Sequence, residues 1–138
     1  IDYPLQVSGH DLSVTCLSMG NPHAVAFVEQ PVDEFPLHEL GPIVEHHEMF
    51  PRRVNFEIVN LVDAGRVQAR VWERGSGLTM ACGSGASALA VAARLHGYVG
   101  DEVTVSLPGG ELIVSWAGEG EVVLEGPTEE VFQGEWPD

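Results

Sequence analysis

The sequence predicts an α+β domain: a strongly bent, mixed or antiparallel β-sheet wrapped around one central buried helix. Two observations carry that expectation. From Ser84 to Leu95 the residues are almost all Ala, Val, Leu, Ser or Gly, apolar on every side, which is the pattern of a helix buried all round rather than one lying on a surface. Before and after it run short strand-like segments separated by tight turns, and a sheet folded around the helix is what buries a helix without a polar face. With 138 residues and 44% hydrophobic content, the chain has the length and the core of one ordinary domain, expected to span residues 1–138.

The elements follow in order. Leu5 to Val7 and Leu12 to Met19 alternate apolar and polar residues around Ser8-Gly9-His10-Asp11, which reads as a hairpin. Cys16 is in step with Leu12 and Val14, so it is expected to face the core. Met19-Gly20-Asn21-Pro22-His23 is a turn cluster leading into the apolar strand Ala24-Val25-Ala26-Phe27-Val28. Leu37, Leu40, Ile43 and Val44 recur at helical spacing through His47, and Pro42 inside that pattern predicts a kinked or two-piece helix. Val54 to Val62 has strand character, Asp63-Ala64-Gly65-Arg66 reads as a hairpin turn, and Val67, Ala69 and Val71 share one face of the next strand. That strand ends on Glu73 and Arg74, ahead of a glycine loop. Beyond the buried helix, His96-Gly97 is a helix stop, followed by short strands at Val103 to Ser106, Leu112 to Trp116, Val122 to Leu124 and Val131 to Phe132.

Composition narrows the function. The net charge is −15 and all six basic residues are Arg, a surface that phosphate backbones and anionic membranes repel. Nucleic acid and membrane are therefore not expected partners, and no stretch approaches the ~20 apolar residues of a membrane-spanning helix. Two cysteines in a chain with an ample core suggest no disulfide scaffold and a reducing, cytoplasmic setting. The first residue is Ile1 and no signal-like segment precedes the first strand, so the chain reads as processed or as a piece of something longer.

The chemistry concentrates between Glu73 and Ala88. Cys82 would sit at the amino end of the buried helix, where free N–H groups and the positive end of the helix dipole lower a thiol's pKa. The same N–H groups can hold a carboxylate, and glycines at 83 and 85 let backbone come close to a ligand. A thiolate beside an anion cradle can be a base, a nucleophile, or simply a small buried side chain. Asn21 and His23 could be aimed into a site from their turn, or could merely build it. His46-His47 forms no ligand set, because adjacent helical residues point apart and no further ligands have suitable spacing.

Four segments together resemble diaminopimelate epimerase, and only its second half: Met19-Gly20-Asn21-Pro22-His23-Ala24-Val25, Phe50-Pro51-x-Arg53-Val54-Asn55, Val71-Trp72-Glu73-Arg74-Gly75-Ser76-Gly77 and Ala81-Cys82-Gly83-Ser84-Gly85-Ala86. The resemblance covers essentially the whole chain and implies the carboxyl-terminal domain of that enzyme, built from two similar halves with the active site between them. It implies interconversion of the LL and meso forms of diaminopimelate by α-proton removal and return, without pyridoxal phosphate or metal, using one cysteine from each half. Cys82 then matches one of the two proton-transferring thiols, and Gly83 and Ser84 supply N–H groups to the reacting carboxylate. Asn21, Asn55, Glu73 and Arg74 match substrate-binding positions, and His23 and Glu73 match positions that tune the thiols.

Leu78, Ser84 and Ser87 stand where the family often has Glu, Thr and Cys. The larger departure is that no Asn-Cys-Gly-Asn motif of the first half occurs. The chain alone is therefore expected to be inactive, its partners being the missing amino-terminal half, the diaminopimelate substrate and, as one option, a second copy in a homodimer. Three other readings stay open: a related cofactor-independent racemase acting on another amino acid, a thiol hydrolase with Cys82 activated by His23, and a non-catalytic half-domain that mediates pairing.

Overall fold

A computed structural model of the chain describes residues 2–79, 83–126 and 134–136. Among the described residues, ten strands join in one sheet and two helices pack on it. They run β1 (Tyr3–Val7), β2 (His10–Ser18), β3 (Pro22–Phe27), α1 (Leu37–Glu45), β4 (Asn55–Asp63), β5 (Arg66–Glu73), β6 (Gly77–Thr79), α2 (Gly83–Leu95), β7 (Glu102–Leu107), β8 (Gly110–Ser115), β9 (Val122–Glu125) and β10 (Gly134–Trp136).

The sheet order is β1-β2-β3-β4-β5-β7-β8-β9-β10, with β6 paired to β5. Most neighbours are antiparallel, as expected for strands joined by tight turns. The exceptions are β3 with β4 and β5 with β7, which are parallel and so need crossover connections. The crossovers contain α1 and α2. Residues on alternate sides of a strand fall into two separate cores: Val25 and Val59 pack with α2, whereas Ala24, Ala26, Phe56 and Ile58 pack with α1. The two helices therefore cover opposite faces, and the centre of the sheet is buried on both.

Helix α2 is the centre of the larger core. Every residue from Gly85 to Ala93 is buried, and the helix touches β2, β3, β4, β7, β8 and β9. Its run of Ala, Gly and Ser keeps the helix thin enough for strands to close around it, which is the predicted wrapped-sheet architecture. The helix ends as expected at Gly97, whose φ is 78°. Gly97 N–H donates to Arg94 O and Tyr98 N–H to Ala93 O, the paired bonds of a Schellman stop.

Several details depart from the predicted boundaries. The first hairpin turns on Ser8 and Gly9 alone, with φ of 46° and 81°, a two-residue turn whose twist matches the flanking strands. Helix α1 continues through Pro42 as a single element. The glycine stretch after Glu73 is the turn of a further hairpin, because Val71, Trp72 and Glu73 pair with Thr79, Leu78 and Gly77. Cys16 is exposed, contrary to its expected place in the core. It shares a face with Val14, but the α1-side core that buries Val14 does not include it. The opposite-facing neighbour Thr15 is buried instead and contacts His96 Nε2 at 2.8 Å. The strand expected at Val131 to Phe132 lies outside the described residues. The tail residues Gly134–Trp136 pair with β9 of the same chain. No helix among the described residues is long and apolar enough to cross a membrane.

Candidate active site

Pro22 opens β3, and the turn before it is drawn tight by Met19 N–H donating to Asn21 O at 3.0 Å, with Gly20 at φ 91°. Because β4 lies parallel beside β3, Asn55 stands opposite His23 and Glu57 opposite Val25. Alternation then aims His23, Asn55 and Glu57 at the α2 side of the sheet, all three buried. Buried polar side chains must find partners, and these largely find one another.

His23 Nδ1 lies 2.8 Å from Glu57 Oε2, with both side chains fully buried. His23 Nε2 lies 3.1 Å from Asn21 Oδ1. Burial pushes the Glu57 carboxyl up to about 7, only partly offset by the hydrogen bond and charge of His23. Its second oxygen, Oε1, has no hydrogen-bond partner among the described residues.

Asn55 joins this turn to the β5–β6 hairpin. Its Nδ2 donates to Pro22 O at 3.1 Å, and its Oδ1 accepts the Arg74 N–H at 2.6 Å. The segment before it is shaped by Arg53, whose φ of 67° lies in the left-handed region and bends the chain into β4. Arg74 itself is exposed, and its Nη1 donates to Arg52 O at 3.3 Å.

The hairpin is also held from the α1 side. Glu45 is buried near the end of α1 and accepts Trp72 Nε1–H at 2.9 Å and Gly75 N–H at 3.0 Å, with Arg53 Nη1 at 3.6 Å. Burial pushes its carboxyl up, but the hydrogen bonds from Trp72 and Gly75, with the charges of His46 and Arg53, outweigh burial and hold it below its ordinary value. One turn earlier in α1, Gly41 faces the Trp72 ring so closely that an added Cβ would meet Cδ2 at 2.3 Å. The Arg74 loop is thus fixed at consecutive backbone amides, one by Asn55 and one by Glu45.

Of the residues singled out in the sequence, Asn21 bonds His23 and Asn55 bonds the Arg74 N–H, and the two pairs are joined through the Asn55 bond to Pro22 O. Glu73 closes β5 half-buried, and its carbonyl accepts Ser76 N–H at 3.0 Å. Gly83 and Ser84 open α2 and are half-buried. Cys82 lies outside the described residues; Gly83, bonded to it, is the first residue of α2. No group of three or more His, Cys, Asp or Glu able to hold a metal occurs among the described residues. His46 Nδ1 and His47 Nδ1 are engaged locally, with Pro42 O and Met49 N–H.

Glu57 and Glu45 were not legible as site residues in the sequence. The available signal for Glu57 was its parity: it is the charged residue two places after Asn55 in an otherwise apolar strand, on the same face. Glu45 carried no comparable signal, because a polar residue ending an amphipathic helix is ordinarily solvated.

Sequence comparison places this geometry in a family. The family model described as diaminopimelate epimerase matches residues 15–131. The diaminopimelate epimerase of Magnetococcus marinus is 50% identical over 135 residues, covering 98% of this chain and 48% of the relative. Those of Cyanothece sp. and Pseudomonas entomophila are 51% and 49% identical over 97% and 98% of this chain and 48% and 49% of the relatives. The chain thus spans about half the length of the curated relatives it matches. In fold, it resembles the PhzF-family phenazine biosynthesis protein of Enterococcus faecalis, with a TM-score of 0.57 and 17% identity over 75% of this chain and 36% of that one. The Bacillus anthracis PhzF-family protein gives a TM-score of 0.53 and 18% identity over 82% of this chain and 38% of that one. By the extent of the family match and the identity of its relatives, the chain belongs to the diaminopimelate epimerase family.

Proposed function

We propose that this chain is the carboxyl-terminal half of a cofactor-independent epimerase that interconverts LL- and meso-diaminopimelate in the cytoplasm, and that it works only with an amino-terminal half. The observation that carries this reading is the bracing by Asn55. One buried side chain ties the Asn21-Pro22-His23 turn to the Arg74 loop, so that three of the four segments carrying the family resemblance are held together.

An amino acid's α-proton is very weakly acidic, so removing it requires both a base and stabilisation of the charge that flows into the carboxylate. In this reading Cys82 is the base or acid on one face of the α-carbon, and the missing half supplies the thiol on the other. The N–H groups of Gly83 and Ser84 receive the reacting carboxylate, where the helix dipole favours negative charge. The exposed Arg74 guanidinium takes the distal carboxylate, for which a planar fork is the suited donor. Asn21, Asn55 and Glu73 complete the substrate contacts, and His23 and Glu73 set the charge felt by the thiols. The local cation and N–H groups work against a chain whose net charge is −15, so anion capture must be short-ranged.

The test is assembly. With an amino-terminal half supplied, diaminopimelate epimerisation should appear and Cys82→Ala should abolish it. Retained epimerisation in Cys82→Ala would remove Cys82 from the mechanism, and a preference for another amino acid in a substrate panel would favour a related racemase.

A further inference from the structure

We propose that Glu45 is a positioning residue for Arg74: from the opposite face of the sheet it holds the peptide between Arg74 and Gly75 in one orientation, and so makes α1 part of the apparatus that grips the distal carboxylate. The hold on the peptide stands on the geometry of the chain alone. The carboxylate rests on the epimerase reading.

Glu45 Oε1 accepts Trp72 Nε1–H at 2.9 Å and Oε2 accepts Gly75 N–H at 3.0 Å, so each oxygen is committed to a different part of the β5–β6 hairpin. The Trp72 ring also lies against Gly41, one turn earlier in α1, which sets how far the helix stands from the strand. Arg53 Nη1 lies 3.6 Å from Oε2. Trp72 and Arg53 belong to the segments that carry the family resemblance, yet neither has a part in the proposed chemistry. Both meet at Glu45.

The effect on Arg74 follows from which amides are held. The Arg74 N–H goes to Asn55 Oδ1 at 2.6 Å, which sets the peptide plane before the Arg74 Cα. Gly75 N–H goes to Glu45, which sets the plane after it. Because each peptide is rigid, holding both planes also sets the direction in which the Arg74 side chain leaves the backbone.

The second hold has work to do because residue 75 is glycine. Ser76 N–H donates to Glu73 O at 3.0 Å and Gly75 has φ 81°, the positive φ that a type II turn requires at its third residue. Glycine adopts either sign of φ, so the turn can also close with the Arg74–Gly75 peptide turned over, as in a type I turn, whose third residue has φ of about −90°. Only the form in which Gly75 N–H points at α1 meets Glu45. Without that acceptor the backbone at Arg74 divides between two forms, and a ligand that needs one of them binds more weakly by the fraction lost. The distal carboxylate is remote from the reacting carbon, so it is gripped alike in the ground and transition states. A weaker grip therefore raises KM and leaves kcat.

The experiment has two arms. In the isolated chain, under conditions where the fold is retained, the Gly75 amide should exchange with solvent at least roughly tenfold faster in Glu45→Ala than in the wild type, the scale of one hydrogen bond to a charged group. An unchanged Gly75 amide in a folded Glu45→Ala would overturn the hold on the peptide. In the enzyme assembled with an amino-terminal half, Glu45→Ala should raise KM for diaminopimelate roughly tenfold with kcat within about twofold. Glu45→Gln, which keeps one acceptor oxygen, should recover part of that loss. In an Arg74→Ala background, Glu45→Ala should cost no further kcat/KM, because the two act through one side chain. A fall in kcat at unchanged KM, or an undiminished loss in the Arg74→Ala background, would mark general destabilisation and sink the positioning role. If Glu45→Ala does not fold, Glu45→Gln decides by the same split at smaller size. An assembled enzyme that epimerises no diaminopimelate counts against the epimerase reading and leaves the exchange arm standing, so the two fail separately.

Discussion

Two carboxylates are buried on opposite sides of the sheet, and their surroundings move them in opposite directions. Glu45, on the α1 side, faces Trp72 Nε1–H, Gly75 N–H and the Arg53 guanidinium, and is held below its ordinary value. Glu57, on the α2 side, has one oxygen against His23 and the other without a partner among the described residues, and is raised to about 7. Glu57 is the more deeply buried, 0% exposed against 4%, and has fewer donors, and the two differences act in the same direction. The difference also divides their work. Glu45, whose charged form its donors favour, is a clamp that positions a loop. Glu57 keeps a proton in hand beside a histidine.

The clamp is broken most severely at its contact with the ring. Gly41→Ala would place a Cβ 2.3 Å from Trp72 Cδ2, with the helix backbone and the half-buried ring both restricted in how far they can yield. Overpacking of this kind should cost about 3 kcal/mol, read from the denaturant midpoint. Next, Glu45→Ala strips the acceptor from two N–H groups, one of them the backbone of the Arg74 loop. A loss of about 2 kcal/mol is expected, together with faster hydrogen exchange at Gly75.

The pH dependence of stability sharpens the contrast, because the two contributions have opposite sign. The folded value of Glu57, about 7, lies above the 4.5 of an ordinary carboxyl. Between those values the folded chain retains a proton that the unfolded chain has released, so raising the pH through this window favours unfolding. A decline on the order of 2 kcal/mol is expected in the wild type and should be absent in Glu57→Gln. Glu45 is lowered, so its stabilisation is fully present above 4.5 and is lost only as the pH falls through its folded value. Urea titrations across the acid and neutral range would separate the two. The smallest effect belongs to Cys16, which is exposed. Cys16→Ser should shift stability by less than about 0.5 kcal/mol and leave the fold unchanged.

The same contrast marks how far the sequence could be read. Helix α2 was legible because nine consecutive buried residues, Gly85 to Ala93, leave an unmistakable apolar run. The strands were legible by alternation and the Asn21, His23, Asn55 and Arg74 positions by motif. Parity, however, tells only which face a residue occupies. It could not tell that the cover over Val14 stops before Cys16, nor that β3 and β4 are covered on both faces. Strand β6 spans three residues, too short for any period to show. Glu45 and Glu57 were invisible for a related reason: what makes each important is a partner 27 to 34 positions away in sequence, Trp72 for one and His23 for the other.

We propose that this chain is half of a catalyst, able to hold one face of an α-carbon through Cys82 and its neighbours. The most direct measurement is exchange of the diaminopimelate α-proton in deuterated water, followed by NMR with the isolated chain and again with an amino-terminal half added. No exchange alone, and Cys82-dependent exchange with the added half, is the expected result. Appreciable exchange and racemisation by the isolated chain would contradict it.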